Sequence, residues 1–224
     1  EAQARLLRAA RLSAIGETAA GVAHQINNPL MTVVIDSHLL TKNLPEDHSA
    51  RESAEAIHEA ARRAARIVER LLDFSQTEPT HKTAVDIGDS VQEAATLVAA
   101  QLPPEITLKL QVAPDLPPAQ ASRDHLQDVW LNLLLNARDA ILAGDGGRIT
   151  VDVSHNAAEQ QIAVAITDDG VGIPVAEQSN LFTPFFTTKA QGTGLGLAVS
   201  YDVIKHHDGA IHVHSAPGEG STFT

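Results

Sequence analysis

The sequence predicts an α+β protein in two parts. The first is an N-terminal helical hairpin that pairs with a second copy as a four-helix bundle. The second is an α/β sandwich with helices on one face of a mixed sheet. Three observations predict this. Apolar residues recur at helical spacing through residues 1–75. A polar break with a proline, Gln76-Thr77-Glu78-Pro79-Thr80, follows. Beyond it helix and strand patterns alternate, and two glycine clusters fall near the C-terminal end.

Residues 1–43 are rich in alanine, leucine, arginine and glutamate and read as one long helix. Ile15, Ala19, Val22, Ile26 and Val33 form its apolar stripe, Pro29 should kink it, and Pro45 marks a turn. Residues 48–75 read as a second helix, with Ile57, Ala61, Ala64, Val68, Leu71 and Leu72 inward. Two helices cannot bury both stripes, so a homodimer is expected; the alternative is a hairpin packed on the rest of its own chain. This gives a helical domain over 1–76, a linker over 77–81 and a second domain over 82–224. In that second domain helices are expected at 87–101, 123–143 and 195–207. Strands are expected at 105–112, 148–154, 160–167, 210–215 and 221–224, the last two joined by a turn at Pro217-Gly218-Glu219-Gly220. There are no internal repeats.

Composition removes several classes. The 224 residues carry a net charge of −12, a poor match for nucleic acid, and one Trp, one Tyr and five Phe offer little stacking surface for single strands. Without cysteine no disulfide framework forms, which fits a reducing, cytoplasmic setting. No apolar run approaches the roughly 20 residues of a membrane span, and no signal-peptide pattern opens the chain. The chain starts at Glu1 and its last residues read as a strand still in progress. The expectation is a piece of a longer, C-terminally truncated protein, with an upstream sensor domain or a membrane anchor in the part not present.

The glycine clusters are Asp168-Asp169-Gly170-Val171-Gly172-Ile173-Pro174 and Gly192-Thr193-Gly194-Leu195-Gly196-Leu197. Glycine lets a ligand reach backbone N–H groups, so two clusters with Lys189 nearby suggest a site for a phosphate-bearing ligand. Gly194 and Gly196 precede the apolar helix Leu197–His206, whose N-terminus favours anions. The pattern is neither a dinucleotide fingerprint nor a P-loop, since neither a flanking strand with a distal acid nor a Gly-Lys-Ser/Thr accompanies it. Upstream, Asn132, Asn136 and Asp139 share one helix face, with Leu126, Val129, Leu133, Ala137 and Ala140 on the other. Asparagine twice in mid-helix runs against propensity, and its carbonyl oxygen suits a hard cation such as Mg²⁺. His24 falls away from the apolar stripe, so its imidazole should face outward among small neighbours.

Four segments, in order, are Ala23-His24-Gln25-Ile26-Asn27-Asn28-Pro29-Leu30, Asn132–Ala140, and the two glycine clusters. They resemble the H, N, G1 and G2 boxes of a sensor histidine kinase, and Leu181–Lys189 with its phenylalanines resembles the F box. The resemblance covers roughly Leu12 to Thr224. It implies a Bergerat-type ATP-binding domain that uses ATP and Mg²⁺. It also implies that His24 accepts the γ-phosphoryl group and passes it to an aspartate on a response-regulator receiver domain. Asn136 becomes the Mg²⁺ ligand, and Asn132 a phosphate-side neighbour. Asp168 accepts a hydrogen bond from the adenine amino group, with Gly170, Gly172 and Ile173 beside the purine. Lys189 belongs to a lid over the phosphates, and Thr193, Gly194, Leu195, Gly196 and Leu197 line them. Asp139 lies at a position that varies in the family.

One departure stands out. The residue after the histidine is usually Glu or Asp, and here it is Gln25. An amide can orient the imidazole but cannot take its proton, so autophosphorylation should be weak. Asn28, one turn after His24, has the chemistry to position water for dephosphorylating the regulator. Two alternatives remain. One is a dimeric, ATP-binding signalling scaffold with little turnover. The other is an ATPase of the chaperone, mismatch-repair or topoisomerase type, which would want a glutamate where Asn132 stands.

Overall fold

The computed structural model describes residue 26 and residues 29–45, 48, 50–75, 82–144, 146–189 and 192–224, the side chains of 63 and 66–75 excepted. His24, Gln25, Asn27 and Asn28 lie outside these residues, as do the 77–81 linker, Ile15, Ala19 and Val22 of the expected stripe, and most of the backbone on which the Pro29 kink depends. The chain divides into two compact units, Glu1–Pro79 and Thr80–Thr224.

In the first unit, α1 (29–43) and α2 (Arg51–Ser75) form a helical hairpin. Pro45 lacks a backbone N–H and helps to stop α1. The turn is closed by His48 N donating to the Pro45 carbonyl and by Arg51 Nη1 donating to the Leu44 carbonyl at 2.9 Å, which satisfies one of the open carbonyls at the end of α1. The helices are joined at Ser37, buried at 2% exposure, whose Oγ lies 3.1 Å from His58 Nδ1 and donates to the Val34 carbonyl. Ala54 and Ala61 are buried, as small residues at a close helix contact should be. Ile57, expected inward, is half exposed in the single chain, as are Ile26, Met31, Val33, Ile35, Leu39 and Leu40. The hairpin alone has too little surface to cover both stripes.

In the second unit, the strands are β1 (Thr83–Val85), β2 (Thr107–Val112), β3 (Ala119–Ala121), β4 (Arg148–Asn156), β5 (Gln161–Asp168), β6 (Val213–Ala216) and β7 (Gly220–Phe223). The helices are α3 (Ile87–Ala99), α4 (Arg123–Leu142), the single turn α5 (Val175–Gln178) and α6 (Gly196–His206). β1 and β3 form a separate antiparallel pair, which the sequence reading missed because three-residue strands carry almost no periodicity. The main sheet has the order β2-β4-β5-β7-β6; β2 and β4 are parallel and the other pairs antiparallel, so the sheet is mixed. The strand expected at 210–215 lies instead at 213–216, because the Gly218–Gly220 turn fixes its register against β7.

Alternation sets the layers. Val151 pairs with Ile166 and Val153 with Val164, all on the face that carries Leu108 and Leu110 of β2. Against this face pack Val91, Ala94 and Val98 of α3 and Val129, Leu133, Leu134, Ala137 and Ile141 of α4. Asp86 caps α3 by accepting from Asp89 N, and Ser122 caps α4 by accepting from His125 N. Trp130 Nε1 donates to Ser90 Oγ at 3.2 Å inside the core, so burying the indole leaves no orphan donor. No helix among the described residues is long and apolar enough to cross a membrane.

Candidate functional site

Three elements of the second unit bring the site together: α4, the loop after β5, and the segment from Leu181 into α6. On α4 the buried residues Leu126, Val129, Leu133 and Ala137 face the sheet, which leaves Asn132, Asn136 and Asp139 on the opposite side. Asn136 Oδ1 accepts a hydrogen bond from Lys189 Nζ at 3.0 Å, and the same ammonium lies 2.8 Å from Asp139 Oδ2. Arg138 Nη2 reaches Asp139 Oδ1 at 2.7 Å. Burial pushes the Asp139 carboxyl up, but Lys189 and Arg138 together hold it below the usual carboxylate range. Lys189 is therefore engaged with α4 rather than pointing away in a detached lid.

Asp168 ends β5 directly opposite Ile149, so its carboxyl faces the helical layer at 3% exposure. Gly170 N donates to its Oδ1 at 3.0 Å, and the Ser221 N–H also donates to the carboxylate. Burial raises its pKa above the ordinary value, with some help from the charge of Asp169; the two N–H donors oppose this. Asp169, one residue on, turns the other way: its Oδ1 accepts from Gly147 N and Arg148 N, both at 2.8 Å, and so pins the start of β4. An open concavity lined by Thr107, Lys109, Gly147, Arg148 and Asp169 lies on that side and contains none of the candidate residues.

The glycines are constrained by the protein itself. Gly172 has φ +67°, and a Cβ there would sit 2.0 Å from the Ala216 carbonyl oxygen. Gly196 opens α6, and a Cβ there would sit 2.2 Å from Asn132 Oδ1. At Gly172 the obstacle is backbone, so packing alone accounts for the glycine; at Gly196 it is the Asn132 side chain. Asn132 is locked in place, since its Nδ2 donates to Ser200 Oγ at 2.9 Å. Among the described residues no side chain caps the N-terminus of α6, and uncapped N–H groups at a helix start favour an anion. Gly194, with φ +66°, precedes this end, Thr193 Oγ1 accepts from Leu195 N, and Leu195 and Leu197 anchor the turn in the core. Phe182 stacks on Tyr201 with centroids 5.1 Å apart, and Phe185 N donates to the Gly194 carbonyl, so the phenylalanine segment is tied to α6.

Residues 14–80 match the family described as His Kinase A (phospho-acceptor) domain, and residues 121–224 match Histidine kinase-, DNA gyrase B-, and HSP90-like ATPase. The chain belongs to the two-component histidine kinases.

This histidine kinase core is similar to the sensor histidine kinase ZraS of Escherichia coli (strain K12), 39% identical over 225 residues, across 99% of this chain and 47% of that protein. It is similar also to the signal transduction histidine-protein kinase AtoS of the same strain, 36% identical over 225 residues, across 100% of this chain and 36% of that protein. The chain thus spans about half or less of the length of these relatives. Among solved structures it resembles full-length ShkA in complex with AMPPNP, with TM-score 0.78 and 24% identity over 92% of this chain and 44% of that one. It also resembles the histidine kinase ThkA in complex with the response regulator protein TrrA, with TM-score 0.66 and 25% identity over 96% of this chain and 62% of that one.

Sequence reasoning missed several polar residues of the candidate site. Ser215 Oγ accepts from Ile173 N and donates to the Gly220 carbonyl, both at 2.8 Å, and lies 3.0 Å from Ser221 Oγ. Gln178 Nε2 donates to the carbonyls of Ile173 and Ser215. These residues tie Ile173 to β6 and α5 but belong to three separate segments, so no spacing announces them. Ser200 did leave a signal: a polar residue inside an apolar helix, four residues after Gly196.

Proposed function

We propose that this chain uses ATP and Mg²⁺ to phosphorylate its own His24 and then passes the phosphoryl group to an aspartate of a response-regulator receiver domain. The observation that carries the reading is the convergence of Asn136, Asp168 and the uncapped N-terminus of α6 in one domain. The buried Asp168 carboxylate, already oriented by two backbone donors, accepts from the adenine amino group. The first N–H groups of α6 receive the phosphates. Asn136 and Asp139 fit a divalent cation by their oxygen donors, and they already share the cationic Lys189. Mg²⁺ would neutralise phosphate charge there; Asn136 Oδ1 would hold it once Lys189 moves over to the phosphates.

In the transfer a neutral His24 nitrogen attacks the γ-phosphorus, the bond to the β-phosphate oxygen breaks, and ADP leaves. Gln25 orients the ring by hydrogen bonding, while the imidazole proton passes to solvent, which makes the reaction slow. Asn28 serves a separate, opposing reaction by holding the water that hydrolyses the regulator's phospho-aspartate to aspartate and inorganic phosphate. The half-exposed apolar side chains of α1 and Ile57 support a homodimer that covers them as a four-helix bundle. The helical domain then spans 1–76, the linker 77–81 and the ATP-binding domain 82–224.

Incubation with Mg-ATP tests this: the protein should gain phosphate that is acid-labile and base-stable, and His24→Ala should gain none. Gln25 favours one second reading, a dimer that binds ATP and a receiver domain without turnover. Nucleotide binding without phosphohistidine in either this chain or Gln25→Glu would select that reading.

A further inference from the structure

Ser200 is 2% exposed in the middle of α6, where its neighbours Leu197, Ala198, Val199, Val203 and Ile204 are apolar. A serine at such a position is tolerated where its hydroxyl finds a buried partner. The partner is Asn132 on α4, whose Nδ2 donates to Ser200 Oγ at 2.9 Å. One turn earlier on α6, Gly196 presses against the other end of the same amide, with space for no Cβ beside Asn132 Oδ1. The Asn132 side chain is therefore held at both ends by a single helix face. Asn136, the cation ligand, lies one turn further along α4.

We infer that Ser200 is a positioning residue for nucleotide binding: by fixing the Asn132 amide over Gly196 it sets the phosphate-facing end of α6 against the cation-holding face of α4. The Gly196 contact brings the two helices close, and the Ser200 bond prevents α6 from turning about that contact. Without the hydroxyl a half-buried amide donor loses its partner, and the two halves of the site lose their fixed spacing. This role rests on the nucleotide reading of the site, since it gives Ser200 its consequence through ADP or ATP affinity.

Two measurements on the intact chain test it. In the nucleotide-free protein, the Asn132 side-chain amide resonances should be shifted from solvent values and protected from exchange. In Ser200→Ala they should collapse to solvent-like values. Titration with Mg-ADP should then show about tenfold weaker binding for Ser200→Ala. Asn132→Ala should lose a similar factor, and the double variant should be no weaker than Asn132→Ala alone. If Ser200→Ala does not fold, Ser200→Cys, similar in size with a weakly bonding sulfur, replaces it. Unchanged Asn132 resonances in the Ser200 variant, or losses that multiply in the double variant, overturn the inference. A wild-type chain that binds no ADP overturns both readings, and intact Asn132 resonances distinguish that outcome from failure of the Ser200 tie alone.

Discussion

Replacing Gly172 by alanine would place a methyl group 2.0 Å from the Ala216 carbonyl oxygen and 2.8 Å from its carbon, at a backbone φ of +67°. Both obstacles are backbone, so no side chain can swing aside. Gly218, on the β6–β7 turn, is the matched control: its φ is +80°, but nothing lies within 4 Å of the added methyl. The left-handed backbone alone costs a non-glycine residue about 1–2 kcal/mol. Forcing β6 away from the loop after β5 adds about 1–3 kcal/mol. At roughly 3 °C per kcal/mol for a chain of this size, Gly218→Ala should lower the melting temperature by about 3–6 °C. Gly172→Ala should lower it by about 6–15 °C on the same scale. The assay is thermal unfolding followed by circular dichroism with no nucleotide present. Equal shifts for the two variants would mean that Gly172 is there for the ligand and that the packing argument is wrong.

Other perturbations separate the parts of the site. Asp139 sits below the ordinary carboxylate value, so it contributes stability above that value which is lost as the pH falls through the lowered one. Lys189→Ala should move its titration upward in carboxyl carbon NMR, with little change in stability, because both side chains are partly exposed, at 43% and 35%. Asp168 has the opposite sign: its raised pKa makes the ionised form a cost at neutral pH, and stability is regained as the pH falls from above the raised value toward 3.8. Asp168→Asn should abolish ADP binding by calorimetry and remove the stability slope across that window. Gln25→Glu should raise radiolabel incorporation from ATP by about 10²–10⁴-fold, and an equal or lower rate would remove the general-base argument.

The large elements were legible because burial writes a period into long segments. α3, α4 and α6 each repeat apolar residues along one face, and β4 and β5 alternate them. β1 and β3 were not, since three residues hold barely one alternation. At the site, Asn136 and Asp168 could be read because their chemistry conflicts with their surroundings: an amide in mid-helix and a carboxylate closing an apolar strand. Ser215, Ser221 and Gln178 are joined by tertiary hydrogen bonds across segments, and no local pattern marks them. Lys189 was singled out by the sequence for the candidate site but not its bonds to Asn136 and Asp139, because residue spacing says nothing about where a loop folds back.

The two asparagines of α4 differ in how tightly they are held, and that difference supports the different roles proposed for them. Asn132 is bonded to a buried hydroxyl and pressed against a glycine, so moving it would break a half-buried hydrogen bond worth about 0.5–1.5 kcal/mol and strand the Ser200 hydroxyl. Asn136 is bonded to a partly exposed lysine, an interaction worth at most about 1 kcal/mol. A divalent cation arriving with a polyphosphate can displace the second contact easily and the first hardly at all. The fixed asparagine therefore suits a structural pivot between helices, and the loosely held one suits a ligand that must exchange partners in every cycle. Where Asn136 held such a cation, Lys189 would be free to turn its charge toward the phosphates, and Asp139 would lose that ammonium neighbour.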